Sequence, residues 1–199
     1  MKANLLWIDL EMTGLDPAKD KIVEVGAIAT DFEFREIARL SAMIRIDSAT
    51  MKRWMNDEFW NSRASERAKM IKQIDENGKS AREVENELLE FLENNFAKMK
   101  DLSESEMKKL AKRNPKLTSE DFAPIYLAGN SIHQDQKFIE REFPLLNSKL
   151  HYRQLDVSAW KIIFENRGVK FLKPENHRAM SDIEGSIDEL KHYMKKVKF

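Results

Sequence analysis

A run of seven residues near the start, Asn4-Leu5-Leu6-Trp7-Ile8-Asp9-Leu10, is almost wholly apolar yet carries a carboxylate at Asp9, with a second at Glu11 just beyond. The run has the length of a strand and is closed by turn residues, Thr13-Gly14 and then Asp16-Pro17. A strand so apolar belongs near the middle of a sheet. Side chains alternate faces along a strand, so Asp9 and Glu11 point the same way. Two carboxylates side by side near a core repel each other and lose hydration, and a multivalent cation is the simplest remedy. For an isolated Asp-x-Glu, a solvated sheet edge or a buried Lys or Arg would serve equally well.

Two more runs suited to strands follow closely, Ile22–Thr30 and Ala38–Ile46, so the first 46 residues predict a three-stranded antiparallel meander. Residues 51–75 then mix Met, Trp and Phe with charges in a helical manner. Ser80-x-x-Glu83 reads as a capping box opening a helix to about Phe96, with Ala81, Val84, Leu88, Phe91, Leu92 and Phe96 along one buried face. The stretch 98–121 is rich in Lys and Glu and predicts a solvated, charged helical insertion. A short buried strand at Ile125–Gly129 precedes a helix from about Ile132 to Glu142. Further strand at Leu155–Val157, a helix from near Ser158 and a last helix bearing Ile183, Ile187, Leu190, Met194 and Val197 complete the chain. The order implies one α/β domain over residues 1–199, its mixed central sheet built from the meander plus further strands and flanked by helices.

The chain has 34 basic and 34 acidic residues. That balance argues against a grip on long nucleic acid through many phosphates and suits a small anionic substrate in a local positive pocket. With no cysteine, disulfides, thiolate metal sites and cysteine nucleophiles are excluded. The N-terminal apolar run is too short for a signal peptide, and no stretch approaches the roughly 18 apolar residues of a membrane span. The expectation is a soluble, cytoplasmic protein with no membrane partner.

Two later segments carry carboxylates at similar places. In Gly129-Asn130-Ser131-Ile132-His133-Gln134-Asp135, a strand gives way to a helix, which puts Asp135 in the first helical turn, where ligands of α/β sheets gather. In His177-Arg178-Ala179-Met180-Ser181-Asp182-Ile183, Ser181 with Glu184 could cap the last helix, placing Asp182 in its first turn and His177 in the loop before it. Taken singly, each has an ordinary explanation: a helix-start Asp is stabilised by the macrodipole, and a loop His is solvated.

Together, Asp and Glu on a first strand, Asp after a later strand, and His with Asp at the last helix form an ordered set that resembles the DEDDh exonucleases of the ribonuclease H-like superfamily. The string Trp7-Ile8-Asp9-Leu10-Glu11-Met12-Thr13-Gly14-Leu15-Asp16-Pro17, the GNSIHQD segment, His151-Tyr152-Arg153 with Leu155-Asp156-Val157-Ser158, and HRAMSDI are similar to the oligoribonuclease branch over most of the chain. The resemblance implies a ribonuclease H-like sheet and a metal-dependent 3′→5′ exoribonuclease acting on short single-stranded RNA, dinucleotides above all. It implies that Asp9, Glu11, Asp135 and Asp182 hold two divalent ions, Mg²⁺ or Mn²⁺, as hard oxygen donors would. His177 would take the proton of the attacking water, a task suited to a group that titrates near neutrality. Leu15 resembles an apolar wedge between the substrate's two bases. Ser131, Arg153 and Ser158 resemble a cap for the 5′-phosphate, which a guanidinium can bind bidentately. Tyr152 looks like a residue lent by a second subunit, implying a homodimer.

The sequence also departs from that pattern. His133 stands where the family has a small residue, and Asn56–Met70 lacks the family's His-x-x-Ser-Gly-Leu segment, with Trp54 and Trp60 as candidates to fill core space there. The lysines of the insertion (98, 100, 108, 109, 112 and 116) read as a solvated face rather than an RNA contact. The alternatives are a general DEDDh exonuclease for longer single strands, of the proofreading or ribonuclease T type, and an inactive nucleotide-binding scaffold.

Overall fold

The alternation along the first strand decides the layering. This computed structural model describes residues 2–54, 61–172 and 178–197. Strands β1 (Leu5–Met12), β2 (Ile22–Thr30) and β3 (Glu36–Met43) form the predicted antiparallel meander. Strands β4 (Ile125–Gly129) and β5 (Leu150–Asp156) add in parallel on the other side of β1, giving the order β3-β2-β1-β4-β5. β1 is therefore central, as its composition requires. Leu6, Ile8 and Leu10 enter the larger core, while Leu5 and Trp7 enter a second core on the opposite face. Asp9 and Glu11 continue the second series. Trp7 is fully buried, and its indole N–H donates to Thr30 Oγ1 at 3.0 Å, which satisfies the one polar atom of the ring.

Among the described residues the helices are α1 (Ser48–Trp54), α2 (Ala64–Asn77), α3 (Ala81–Asn95), α4 (Glu104–Arg113), α5 (His133–Glu142), α6 (Pro144–Asn147), α7 (Val157–Asn166) and α8 (Ala179–Met194). α3 and α5 pack on the larger core through Val84, Leu88, Leu92, Phe138 and Ile139. α8 covers the other face with Ile183, Ile187 and Leu190. None of these helices is long and apolar enough to cross a membrane. α4 buries no residue, and Lys108 and Lys100 pair with Glu104 and Glu120, which is the solvated character expected of this stretch.

The capping box forms as predicted. Ser80 Oγ accepts from the Glu83 N–H at 3.3 Å, and the Glu83 carboxylate accepts from the Ser80 N–H at 2.7 Å. Ser80→Ala is expected to cost about 1 kcal/mol, lowering the melting temperature by roughly 2–4 °C in a chain of this size. A thermal melt that does not move would show that α3 needs no cap.

Three boundaries differ from expectation. β3 spans Glu36–Met43, and beyond it Ile44 joins only an isolated bridge to Lys79. β5 is a full strand from Leu150 rather than a fragment at 155–157, and Val157 already begins α7. Its side chains are half-buried or exposed at the sheet edge, so apolar patterning could not reveal it; backbone pairing with β4 forms it. The last helix starts at Ala179, so Ser181 lies inside its first turn and caps nothing, and Val197 lies past its end. Trp54 fills core space as expected, beside Val23, Met43, Met70 and Ile74; Trp60 lies outside the described residues.

Candidate active site

Strands β1 and β4 pair as far as Trp7 and Ala128 and then part. The chain turns at Gly129, where a Cβ would meet the Ile8 carbonyl at 2.9 Å, so only glycine allows β4 to leave β1 this closely. α5 enters at the opening. Beyond the last β4 pairing, the Leu10 N–H is met by Asp135 Oδ1 at 3.0 Å. The helix thus delivers Asp135 to the carboxyl end of the central strand, as predicted.

On the α8 face, Asp9, Glu11 and Asp182 converge: one carboxylate oxygen from each lies within 4.8 Å of the others, and all three residues are half-buried. The structure brings these three together, while Asp135 flanks them with one oxygen spent on the Leu10 amide. The electrostatics are those of a site wanting positive charge. Burial first, then the carboxylates of Glu24 and Asp182, push the Glu11 carboxyl up to about 7, and Arg178 opposes them. Burial likewise pushes Asp135 up to about 7 despite the Leu10 hydrogen bond. Hard oxygen donors crowded to the point of holding protons fit a divalent cation, which would replace those protons. His177 lies outside the described residues.

Of the substrate-binding expectations, Ser131 and Ser158 meet. The Ser131 N–H donates to Ser158 Oγ at 2.8 Å and to Asp156 Oδ1 at 3.0 Å, and the two hydroxyls are 3.0 Å apart. Ser131 holds this place with a left-handed φ of 50°, a conformation that functional turns often retain at some strain. Asn130 ties the same turn to α8, its amide donating to Ser186 Oγ and Glu189 Oε2. Leu15 is exposed at 74%, and its carbonyl accepts from Gln134 Nε2 at 2.7 Å, which fixes the β1–β2 turn beside Asp135. Tyr152 and Arg153 stand apart on β5, stacked on each other at 5.4 Å, with Tyr152 exposed at 76%. By register Tyr152 is level with Leu5 rather than Asp9, about 16 Å from the cluster at ordinary strand spacings. His133 is exposed and lies 3.7 Å from Asp156.

Sequence reasoning passed over Glu24 and Arg178. Glu24 is the single charge in the apolar run Ile22–Thr30 and is 1% exposed; it stands opposite Glu11 in the β1–β2 register. A lone Glu in a fully buried strand was the available signal.

The chain is 33% identical to the oligoribonuclease of Ruthia magnifica over 196 residues, covering 96% of this chain and 94% of that one. It is 36% identical to the oligoribonuclease of Pseudomonas syringae over 195 residues, with 96% and 94% covered. The chain belongs to the oligoribonuclease family. An exonuclease family model also matches residues 6–100. The expectation of a 3′→5′ exoribonuclease, a phosphodiester hydrolase, stands on that membership. Exonuclease I of Methylocaldum szegediense shares the fold with a TM-score of 0.58 at 14% identity, over 98% of this chain and 40% of that one. The Escherichia coli exonuclease I complex with single-stranded DNA gives the same score and identity, over 98% and 41%. This family member thus has the ribonuclease H-like sheet, and it spans about two fifths of those longer chains.

Proposed function

We propose that this chain removes nucleoside 5′-monophosphates from the 3′ ends of very short RNA, dinucleotides above all. Asp9, Glu11, Asp135 and Asp182 would hold two divalent ions, Mg²⁺ or Mn²⁺, with His177 as general base. The observation that carries this reading is the convergence of Asp9, Glu11 and Asp182 at the carboxyl end of the central strand. Bound ions supply charge stabilisation to a phosphoryl group and orient it for in-line displacement. Asp9 and Glu11 from β1, Asp135 from α5 and Asp182 from α8 would hold the ions. His177 accepts the proton of the attacking water, and the ribose 3′-oxygen leaves as the P–O bond breaks.

Selection for short substrates follows from a pocket closed at the 5′ end. The hydroxyls of Ser131 and Ser158, which hydrogen-bond each other and Asn130 Oδ1, would turn to donate to a terminal phosphate, and exposed Leu15 offers an apolar edge to the bases. Tyr152 and Arg153 lie on β5, the edge strand of the sheet, with Tyr152 exposed. That placement on an edge strand supports a homodimer in which each subunit completes the other's site. A chain without cysteine also suits the reducing cytoplasm.

The test is turnover of 5′-phosphorylated RNA from two to about ten nucleotides with Mn²⁺. The dinucleotide should be cleaved fastest. Arg153→Ala should lower kcat/KM for it by about 10- to 100-fold, the worth of a charge-assisted hydrogen bond. Equal or faster cleavage of the longer strands would instead assign a general single-strand exonuclease.

A further inference from the structure

The last helix starts without a cap from the side chain of its own N-cap residue. Arg178 occupies the cap position of α8 without a capping hydrogen bond, and the Ser181–Glu184 pair that could have begun the helix goes unused. What holds this start is the sheet. Arg178 Nε donates to Glu24 Oε2 at 2.9 Å and Nη2 donates to Oε1 at 3.1 Å, a two-pronged fit that fixes direction as well as distance. Glu24 faces Glu11 across the β1–β2 register, and two residues along, Gly26 faces Asp9. A Cβ on Gly26 would lie 3.0 Å from the Ala179 carbonyl carbon and from Ile183 Cδ1, so the backbone of α8 rests directly on β2 there. The first helical hydrogen bond then runs from the Asp182 N–H to the Arg178 carbonyl at 3.0 Å.

These contacts form a short chain of causes. The Arg178–Glu24 pair sets the helix along β2, Gly26 lets it lie close, and one turn later Asp182 reaches Asp9 and Glu11. Glu24 also adds a buried negative charge beside a cluster that already repels itself. Arg178 neutralises it from outside the ligand set, with its side chain 40% exposed. Glu24 itself is 1% exposed, so removing Arg178 alone strands a buried charge and costs stability. Turnover and metal affinity in a folded variant are what separate positioning from stabilisation.

We propose that Arg178 is a positioning residue of the hydrolysis, clamped to Glu24 so that the last helix begins where Asp182 completes the metal-binding carboxylates. The proposal rests on the metal-site reading above. Orienting partners behind ligands are commonly worth 10- to 100-fold in metal affinity or activity.

The experiment compares Arg178→Ala, Arg178→Lys, Glu24→Gln and the double variant Arg178→Ala/Glu24→Gln with wild type. It measures kcat and KM on a 5′-phosphorylated RNA dinucleotide, Mn²⁺ affinity of the substrate-free protein by calorimetry, and folding by circular dichroism. Arg178→Ala and Glu24→Gln should each lower kcat and weaken Mn²⁺ binding about tenfold or more, with KM for RNA held within about threefold. The double variant should be no worse than either single one, because both remove the same contact. Arg178→Lys, which keeps the charge but loses the fork, should recover part of the loss, and it decides the matter if Arg178→Ala does not fold. A folded Arg178→Ala or Arg178→Lys with kcat and Mn²⁺ affinity within about twofold of wild type overturns the proposal, as does simple additivity in the double variant. If wild type fails to cleave the dinucleotide, the functional reading falls, while the Mn²⁺ affinities still judge the clamp.

Discussion

Replacing Asp182 with Ala is expected to lower kcat on a dinucleotide by at least about a thousandfold, since a bound ion supplies several kcal/mol of transition-state charge stabilisation and each 1.36 kcal/mol is tenfold in rate. The substitution takes one of three converging oxygens from the site. It should not unfold the protein, because Asp182 is half-buried on the first turn of a helix held elsewhere by Ile183, Ile187 and Leu190. In the presence of chelator the variant should melt at the same temperature as wild type or higher. Asp182 is one of the charges that push the Glu11 carboxyl upward, and deleting it relieves that repulsion. Lost activity with retained or raised stability is the mark of a ligand rather than a structural residue. Retained turnover would place the metal elsewhere.

Chelation is expected to abolish turnover and, in the same sample, to expose an inverted pH dependence of stability. In the fold, Glu11 is raised from 4.5 to about 7 and Asp135 from 3.8 to about 7. Each therefore keeps its proton in the folded chain over a range where the unfolded chain has lost it. Their contribution to stability is complete below about pH 4, falls as pH rises towards 7, and is level above that. The metal-free protein should thus lose melting temperature between about pH 5 and pH 7. His151, which burial and Arg153 hold below its ordinary value, acts in the opposite sense, so a Glu11→Gln variant isolates the carboxylate effect. Divalent cations compete with those protons and bind best where the carboxylates are free. Mn²⁺ at about 100 times its Kd adds about 2.7 kcal/mol, or roughly 5–10 °C in a chain of this size, and the gain should be largest near pH 8. Thermal melts across this range with chelator and with Mn²⁺ measure both curves. Parallel curves would mean that the acidic cluster is not where the metal binds.

Much of this was legible in the sequence because the informative features are local. An apolar strand announces its central place, period two puts Asp9 beside Glu11, and the Ser80 capping box marks where α3 starts. The strand-to-helix junction likewise predicts Asp135 in a first helical turn. Where local signals competed or fell silent, the reading failed. The Ser181–Glu184 pattern was as good a cap as Ser80–Glu83, yet the helix starts earlier because Arg178 finds Glu24, 154 residues away in the chain. The spacing of the four carboxylates is a tertiary matter on which the sequence is silent: oxygens of Asp9, Glu11 and Asp182 lie within 4.8 Å of one another, and Asp135 gives one oxygen to the Leu10 amide. β5 was read short because an edge strand is made by hydrogen bonds to its neighbour, and its exposed side chains need no apolar pattern. The sequence by itself determined which residues are the candidates for the chemistry and that β1 presents two of them on one face. Only the tertiary structure decided that α8 covers that face, and where along it, because the height of a helix on a sheet depends on close approach at Gly26 and a buried charge at Glu24, neither of which leaves a periodic trace.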